Sequence, residues 1–338
     1  MASPFDTSGI ERDEDGVAHY VGRPESLVEM LRTSVERGPD HPALVELGGP
    51  TVTYQELWDR SVRVAGGLRE RGIESRDRVA NRLGNGVEWV YAFFGAVMAG
   101  AVVVPVNTRF TESEVSYVVE DSGSKFVFET GAELPDAEPY VAEDLAHDDL
   151  AAIFYTSGTT GFPKGAMTSH ENFLANTETA IRVIGVDRAE GAETSTLVSV
   201  PLFHVTGCNS QLLVLLEIGG TVEILANPLD LEGFMTAVGE HGVNMLVSVP
   251  AIYHAVIASE PFASLDVSRV RWVSYGGAPI SPALVRRIQD AFPDARVGNG
   301  FGLTESASIL TFLPHEDAAE HADSVGYAGP PVDVKVDA

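Results

Sequence analysis

The sequence has few of the residues that define several common protein classes. Its 338 residues include one cysteine, Cys208, which excludes a disulfide framework and a thiolate zinc cluster and fits a reducing cytoplasm. The only lysines are Lys125, Lys164 and Lys335, and 22 basic residues face 49 acidic ones, for a formal net charge of −27. This charge argues against a nucleic-acid partner.

Signals for export or membrane insertion are also missing. Residues 1–16 are acidic and contain no basic region followed by an apolar core, so we predict no secretory signal. Residues 89–106 carry no charge, but Gly95, Gly100 and Pro105 divide them into an amphipathic helix and a short buried strand. We therefore expect a cytoplasmic protein without a membrane span.

The most informative stretch is YTSGTTGFPKG, residues 155–165, which directly follows an apolar run that we predict to be a buried strand. Its turn-forming and polar residues are three glycines, four hydroxyl residues and one lysine, namely Gly158, Gly161, Gly165, Thr156, Ser157, Thr159, Thr160 and Lys164. Such a combination is typical of a loop that binds phosphate oxygens. The spacing differs from the Walker pattern, which disfavours a P-loop ATPase and leaves a plain surface turn as the alternative.

Predicted strands alternate with predicted helices along most of the chain, and Thr53 with Glu56 and Thr111 with Glu114 have the spacing of helix capping boxes. This alternation predicts an α/β fold with parallel sheets. The predicted divisions are a mobile lead-in over residues 1–23, a first α/β subdomain over 24–149, a second subdomain with the site over 150–325, and the start of a β segment over 326–338.

Three further motifs each follow a predicted strand. They are PLFHVTG (201–207), GGAP (276–279) and NGFGLTE (299–305). Because ligands of open α/β sheets bind outside the carboxyl ends of the strands, we expect these motifs and the glycine-rich loop to converge on one crevice. His204 and Cys208 are four residues apart, but without a third ligand they make a weak metal site or protease dyad, so we expect Cys208 to be a packing residue.

In this order, the four motifs resemble those of the adenylate-forming, AMP-binding superfamily, which includes acyl-CoA synthetases, peptide synthetase adenylation domains and firefly luciferase. The resemblance covers nearly the whole chain and implies two doubly wound, mostly parallel sheets with helices on their faces. Members of the superfamily continue well beyond the position of Ala338. We therefore expect most of the large N-terminal domain, without the ribose-binding aspartate, the hinge or the C-terminal domain with its adenylation lysine.

The resemblance also implies a role for each matching residue. The residues implied to contact phosphate are Thr156, Ser157, Gly158, Thr159, Thr160, Gly161 and Lys164. The residues implied to contact adenine are Gly277, Ala278 and Phe301, and the further residues implied to bind the nucleotide are Pro279, Asn299, Gly300 and Gly302. The catalytic residues implied are His204 beside the acid's carboxylate, Thr304 at the α-phosphate and Glu305 as the Mg²⁺ ligand. Phe301 stands where the family commonly has tyrosine, and stacking on adenine needs only the face of its ring.

The implied reaction is activation of a fatty or aryl carboxylic acid by ATP and Mg²⁺ to an acyl adenylate, followed by thioester formation with CoA. Two alternatives remain open: an adenylation module that serves a carrier protein, and a nucleotide-binding protein without turnover. Amino-acid-activating members follow the motif's phenylalanine with an aspartate, whereas here Phe203 is followed by His204, which favours a plain carboxylic acid. The sequence leaves the acyl substrate and a possible homodimer undecided.

Overall fold

The computed structural model describes residues 3–156 and 162–335. Its strands are β1 (Ile10–Arg12), β2 (Ala18–Tyr20), β3 (Pro42–Glu46), β4 (Thr51–Thr53), β5 (Arg78–Arg82), β6 (Val102–Pro105), β7 (Ser124–Glu129), β8 (Leu150–Thr156), β9 (Lys164–Ser169), β10 (Ser195–Val198), β11 (Thr221–Ile224), β12 (Met245–Ser248), β13 (Trp272–Gly276), β14 (Arg296–Leu303), β15 (Ser308–Leu313) and β16 (Tyr327–Ala328).

The α-helices are α1 (Leu27–Arg37), α2 (Tyr54–Glu70), α3 (Val87–Met98), α4 (Glu112–Ser122), α5 (His170–Ile184), α6 (Val205–Gly207), α7 (Leu213–Ile218), α8 (Leu231–Thr236), α9 (Pro250–Ala258), α10 (Pro282–Ala291) and α11 (His315–Ala318). Shorter helical segments are the 3₁₀ helices Arg188–Glu193, Glu260–Ser264 and Thr304–Ser306 and the π-helices Cys208–Leu212 and Ala237–His241.

Most strands belong to two large sheets, as predicted. The larger sheet has the order β16-β15-β14-β13-β12-β10-β11-β3-β4, and the smaller has the order β7-β5-β6-β8-β9. Neighbouring strands from β14 to β3 and from β7 to β8 run parallel, while β4, β9, β15 and β16 pair antiparallel at the margins. The predicted doubly wound, mostly parallel architecture is therefore confirmed.

Helices pack on both faces of each sheet. The main core lies between the two sheets and contains buried side chains from α1, α2, α3, α5 and α7. A second core joins the larger sheet to α8, α9 and α10, and a small cluster joins the outer face of the smaller sheet to α4. The uncharged residues 89–106 supply α3 and β6 to the interior. Within the described ranges, no helix has the length and apolarity needed to cross a membrane.

The predicted boundary between residues 149 and 150 does not separate the two sheets. Strands β3 and β4 precede that boundary but belong to the larger sheet, whereas β8 and β9 follow it and belong to the smaller one. Strand pairing joins segments that are distant in sequence, so the local alternation of strands and helices does not indicate which strands join which sheet. Within the β segment predicted to start over residues 326–338, β16 is present, residues 332–335 have no regular structure, and residues 336–338 lie outside the described residues.

The predicted capping boxes are both present. At the start of α2, the Thr53 side chain accepts a hydrogen bond from the backbone of Glu56, and the Glu56 carboxylate accepts one from the Thr53 backbone at 2.8 Å. Thr111 and Glu114 make the same reciprocal pair at α4. Each box satisfies two backbone donors that a helix start leaves without intrahelical partners, which explains why these helices begin where the sequence indicates.

Residues 3–23, which we call the amino-terminal strap, pack against the body of the protein and do not form the mobile lead-in predicted for residues 1–23. Within the strap, β1 and β2 form a hairpin. The Tyr20 hydroxyl lies 3.0 Å from the Thr179 hydroxyl on α5, and Arg182 donates hydrogen bonds to the carbonyls of Asp6 and Ser8 at 3.0 and 2.7 Å. These contacts are long-range and have no local sequence signature.

A buried cluster of charges joins the strap to α5 and α7. Glu178 accepts from Arg23 at 2.7 Å and from Arg182 at 2.6 Å, and it also pairs with Arg188. Glu217 pairs with Arg23 at 2.5 Å and with Arg188 at 2.7 Å. Burial raises the pKa of Glu178, but the three arginines outweigh burial and hold that pKa below its ordinary value. We call these five residues the arginine–glutamate cluster.

His170, the first residue of α5, makes folding stability sensitive to mild acid. Its ring is buried, and its Nδ1 accepts a hydrogen bond from the Leu27 backbone at 3.2 Å. Burial lowers the pKa of His170 from 6.5 to about 4, against a smaller opposing effect of Asp149. The unfolded chain therefore binds the proton more tightly, so stability falls as the pH falls below 6.5 toward 4.

We expect the free energy of unfolding to fall by about 2 kcal/mol between pH 7.5 and pH 5 because of this residue. Urea denaturation of the wild type and of His170→Asn across this range measures the effect. Asparagine keeps an acceptor for Leu27 but cannot titrate, so the variant should lose the part of the pH dependence that His170 contributes. An equal pH dependence in both proteins would contradict the assignment.

Candidate functional site

Strand β14 has glycine at alternate positions 298, 300 and 302, so one face of the strand carries no side chains there. Backbone carbonyls approach two glycines of this region closely. A Cβ added at Gly276 of β13 would lie 2.2 Å from the Gly300 carbonyl oxygen, and one at Gly302 would lie 1.4 Å from the Ser308 carbonyl oxygen. The glycines of the GGAP and NGFGLTE motifs therefore allow close backbone approach at the carboxyl ends of β13 and β14.

A cavity of about 510 Å³, which we call the larger cavity, lies beside β14. The three residues predicted to contact adenine line it, and so do four others predicted to bind the nucleotide: Gly277, Ala278, Phe301, Pro279, Asn299, Gly300 and Gly302. The Phe301 ring is 41% exposed, so its face is available for stacking on a flat base. Four lining residues of the segment before β16, namely Ala322, Asp323, Ser324 and Val325, were not predicted, because that segment has no motif that marks it.

A second cavity of about 210 Å³, the smaller cavity, shares part of its wall with the first. His204 and Thr304 line it, together with residues of α6, the π-helix, β12, β13 and β15. Gly277 and residues 300–303 line both cavities. The two cavities therefore meet at the end of β14, along these shared residues, which we call the shared rim. One ligand with two halves can occupy both of them.

His204 lies at the mouth of the smaller cavity as the N-cap residue of α6, without a capping hydrogen bond from its side chain. Its ring stacks at a tilt on Phe203, with 4.7 Å between ring centroids. Desolvation by the surrounding protein lowers the pKa of His204, and the positive charge of Arg109 lowers it further. The ring is therefore neutral at pH 7, with one nitrogen that donates and one that accepts hydrogen bonds.

Arg109 is a charged residue near His204 that the sequence reasoning did not single out. It lies in the loop after β6 of the smaller sheet, close enough to influence His204. Its position after the carboxyl end of a predicted strand could have marked Arg109 as a candidate in the sequence. Arg109 adds a positive charge near the smaller cavity in a chain whose net charge is −27. Cys208, by contrast, is fully buried, as expected of a packing residue, and burial raises the pKa of its thiol.

Thr304 and Glu305 lie in a strained turn between β14 and β15. Ala307 and Ser308 have positive φ angles of 57° and 122°, which side chains rarely allow. Side chains of the neighbouring π-helix hold this turn: Asn209 donates to the Ala307 carbonyl at 2.7 Å, and the hydroxyls of Ser210 and Ser308 are 2.7 Å apart. π-helical segments often occur at functional sites, and this one fixes the turn that carries Thr304.

The side chains of Thr304 and Glu305 line different cavities. Thr304 lines the smaller cavity, whereas Glu305 is exposed and lines a neighbouring cavity of about 250 Å³ together with Met167 and Thr168 of β9. Strand β9 begins at Lys164, whose side chain is exposed. Glu305 therefore faces the hairpin that carries the glycine-rich loop, while Thr304 faces the smaller cavity.

The glycine-rich loop connects the antiparallel strands β8 and β9, with Thr156 paired opposite Lys164. The predicted phosphate contacts Ser157, Gly158, Thr159, Thr160 and Gly161 lie outside the described residues. Of the four predicted loops, the structure thus brings together three around β14 and positions the two ends of the fourth. The individual roles of these residues remain predictions.

The fold and the site define an α/β protein with a two-part cavity at the carboxyl ends of its parallel strands. The chain belongs to the AMP-binding enzyme family, which matches residues 31–143 and 129–338. Among solved structures, the N-terminal domain of FACL13 from Mycobacterium tuberculosis with a bound inhibitor is similar, with a TM-score of 0.83 and 30% identity over 90% of this chain and 83% of that chain.

Two curated relatives illustrate the range of similar proteins. A feruloyl-CoA synthase from Amycolatopsis sp is 34% identical over 86% of this chain and 61% of its own length. A long-chain-fatty-acid–CoA ligase from Escherichia coli O6:H1 is 28% identical over 93% of this chain and 66% of its own length. This chain therefore spans less than two thirds of the length of these relatives.

Proposed function

We propose that this chain binds ATP and a carboxylic acid and joins them as an acyl adenylate, within an AMP-forming acid–thiol ligase. The observation that carries this proposal is the pair of cavities on either side of the end of β14. The larger one suits the adenosine half, with Phe301 against the base, and the smaller one suits the acyl half. The bond between the halves forms at the shared rim, beside Thr304.

The reaction needs no nucleophile from the protein. A carboxylate oxygen of the acid attacks the α-phosphorus, a new P–O bond forms, and the bond to the bridging oxygen breaks as pyrophosphate leaves. The protein has to hold two anions together and to stabilise charge on the phosphate oxygens. Thr304 and the neutral ring of His204 supply hydrogen bonds at the rim, and Lys164 supplies positive charge from the hairpin.

The residues present fit a magnesium ion bound jointly with the nucleotide. Mg²⁺ prefers oxygen ligands and usually takes one or two carboxylates together with substrate phosphates. Glu305 is an exposed carboxylate that faces the β8–β9 hairpin. Across the part of the chain that the structure describes, no group of three acidic, histidine or cysteine side chains is arranged to hold a metal alone. The ion would therefore rely on Glu305 and the phosphates, and it would neutralise phosphate charge.

The second step of the proposed function transfers the acyl group to a thiol. Curated relatives named as CoA synthases and CoA ligases support CoA as that thiol. The position of His204, directly after Phe203, supports a carboxylic acid without an amino group. The single cysteine, which is buried, fits a cytoplasmic setting.

ATP–pyrophosphate exchange tests this function directly. The assay uses a panel of aryl, short-chain and long-chain acids, with amino acids as the comparison set, on this chain and on a version extended to the length of its curated relatives. We expect exchange that depends on a plain acid and Mg²⁺ and is faster in the extended version. Exchange driven by amino acids alone would contradict the acid assignment, and nucleotide binding without exchange in either version would favour a protein without turnover.

Replacing Lys164 with alanine should weaken ATP binding by at least about tenfold, because a charged hydrogen bond to phosphate contributes about 1.5–3 kcal/mol. Lys125→Ala is the matched control. Lys125 lies on β7 and pairs with Asp77 at 2.7 Å, away from both cavities. Titration calorimetry with ATP and Mg²⁺ measures both variants. Equal ATP affinity in the two variants would remove Lys164 from the site.

A further inference from the structure

We propose that Phe312 forms the floor of the smaller cavity and restricts the acid to a short chain or a single ring. This inference rests on the proposed function, because it assigns the smaller cavity to the acyl group. It adds the class of acid that the smaller cavity accepts and the residue that limits the size of this acid. Phe312 lies on β15, opposite Gly300 of β14, and is 5% exposed.

Phe312 separates the smaller cavity from a narrow space behind it. That space holds only about 10 Å³ and lies between α5, β14 and the segment after β15. The two spaces share three lining residues, Ile184, Ser274 and Phe312. Removal of the Phe312 ring would join them and lengthen the cavity toward Pro314 and the end of β15.

The Phe312 ring cannot easily move aside to admit a longer acid. It occupies the space above Gly298, where an added Cβ would lie 2.4 Å from the ring's Cζ atom. Phe5 of the amino-terminal strap packs edge-on against it, with 6.3 Å between centroids and 71° between planes. Arg182 in turn fixes the strap through the carbonyls of Asp6 and Ser8. The strap therefore supports the floor of the cavity.

The dimensions and lining of the smaller cavity agree with a small, uncharged acyl group. A protein cavity of about 150 Å³ holds one benzene molecule, so by proportion about 210 Å³ holds about eight non-hydrogen atoms. Val205, Val247 and Ile309 give it apolar walls, and none of the described lining residues is Asp, Glu, Lys or Arg. Benzoate or hexanoate matches this space, whereas a long-chain fatty acid exceeds it.

Titration calorimetry with non-hydrolysable acyl sulfamoyl adenosines tests the assignment. The probes carry benzoyl, hexanoyl or dodecanoyl groups, with AMP as the reference without an acyl group. We expect the wild type to bind the hexanoyl compound at least about tenfold more tightly than the dodecanoyl compound. Phe312→Ala and Phe312→Leu should shift this ratio toward the dodecanoyl compound by at least about tenfold, since each newly buried methylene group contributes about fourfold. AMP affinity should stay unchanged.

Two further variants keep the test decisive if Phe312→Ala does not fold. Phe5→Ala removes the support of Phe312 and should shift the ratio in the same direction by at least about threefold. Its matched control is Phe262→Ala, a half-buried ring with one edge-on contact to Phe292 in the other core, which should not shift it.

The possible failures are distinguishable. Acyl compounds that bind the wild type tightly, with a preference unchanged in the Phe312 and Phe5 variants, would overturn the role of Phe312 alone. A wild type that binds the dodecanoyl compound as tightly as the hexanoyl compound would overturn the size limit. Acyl compounds that bind no more tightly than AMP would overturn the proposed function and this inference together.

Discussion

Replacement of Glu178 by alanine is expected to lower the free energy of unfolding by about 3–5 kcal/mol, because removal of one partner leaves buried charges without compensation. Glu178 is 6% exposed and is the shared partner of Arg23, Arg182 and Arg188. Its loss leaves the arginine–glutamate cluster with one carboxylate for three guanidinium groups. The strap, which depends on Arg23 and Arg182, should loosen with it.

The control for Glu178 is Glu316→Ala. Glu316 pairs with Arg296 at 2.8 Å, but both side chains are more than half exposed, at 59% and 56%. Pairs of this kind contribute about 0–1 kcal/mol, so this variant should unfold close to the wild type. Urea denaturation at pH 7 followed by circular dichroism compares the three proteins. A loss below about 1 kcal/mol in Glu178→Ala would contradict the structural importance of the cluster.

Replacement of Gly302 by alanine should cost at least about 3 kcal/mol and remove ligand binding, because the added Cβ overlaps backbone that has no room to move. That atom would lie 1.4 Å from the Ser308 carbonyl oxygen and 2.4 Å from its carbon. The β14–β15 pairing already shifts register between Phe301 and Gly302. The strained turn that carries Thr304 and Glu305 would have to rearrange.

Gly300→Ala provides a control on the same face of the same strand. Its added Cβ would meet the Phe312 ring at 3.8 Å and Ile309 at 4.0 Å, which are ordinary contacts. We expect its stability to stay within about 1 kcal/mol of the wild type, since alanine also reduces the entropy of the unfolded chain. Thermal unfolding of both variants checks the contrast in stability, and calorimetry with AMP checks the loss of binding in Gly302→Ala. Similar losses of stability in the two variants would show that the turn does not depend on the close backbone approach at Gly302.

Features with a local cause were predictable from the sequence. The capping boxes at Thr53 and Thr111 use partners three residues away, so the pattern and the hydrogen bonds coincide. The end of β13 at Gly276, where the GGAP motif begins, follows from an apolar run that stops at glycine, whereas β14 continues to Leu303 through the NGFGLTE motif that was predicted to follow its strand. The convergence of these loops with His204 followed from a general rule for parallel sheets, and the structure has this arrangement.

Features that depend on distant contacts were not predictable in the same way. The crossing of β3 and β4 into the larger sheet and the packing of the strap depend on partners far away in the chain. The contact between Phe5 and Phe312 joins opposite ends of the sequence and has no motif. The different directions of Thr304 and Glu305 arise from a turn with positive φ angles that side chains of the π-helix stabilise, which one-dimensional spacing does not encode.

In the proposed function, β14 is the central element of the site, since it lies between the cavity assigned to the base and the cavity assigned to the acid and ends beside Thr304. A crystal structure of this chain with benzoyl sulfamoyl adenosine is the most direct test of this division. We expect adenine in the larger cavity against Phe301 and the benzoyl ring in the smaller cavity above Phe312. Adenine in the smaller cavity, or both halves of the ligand on one side of β14, would contradict the account.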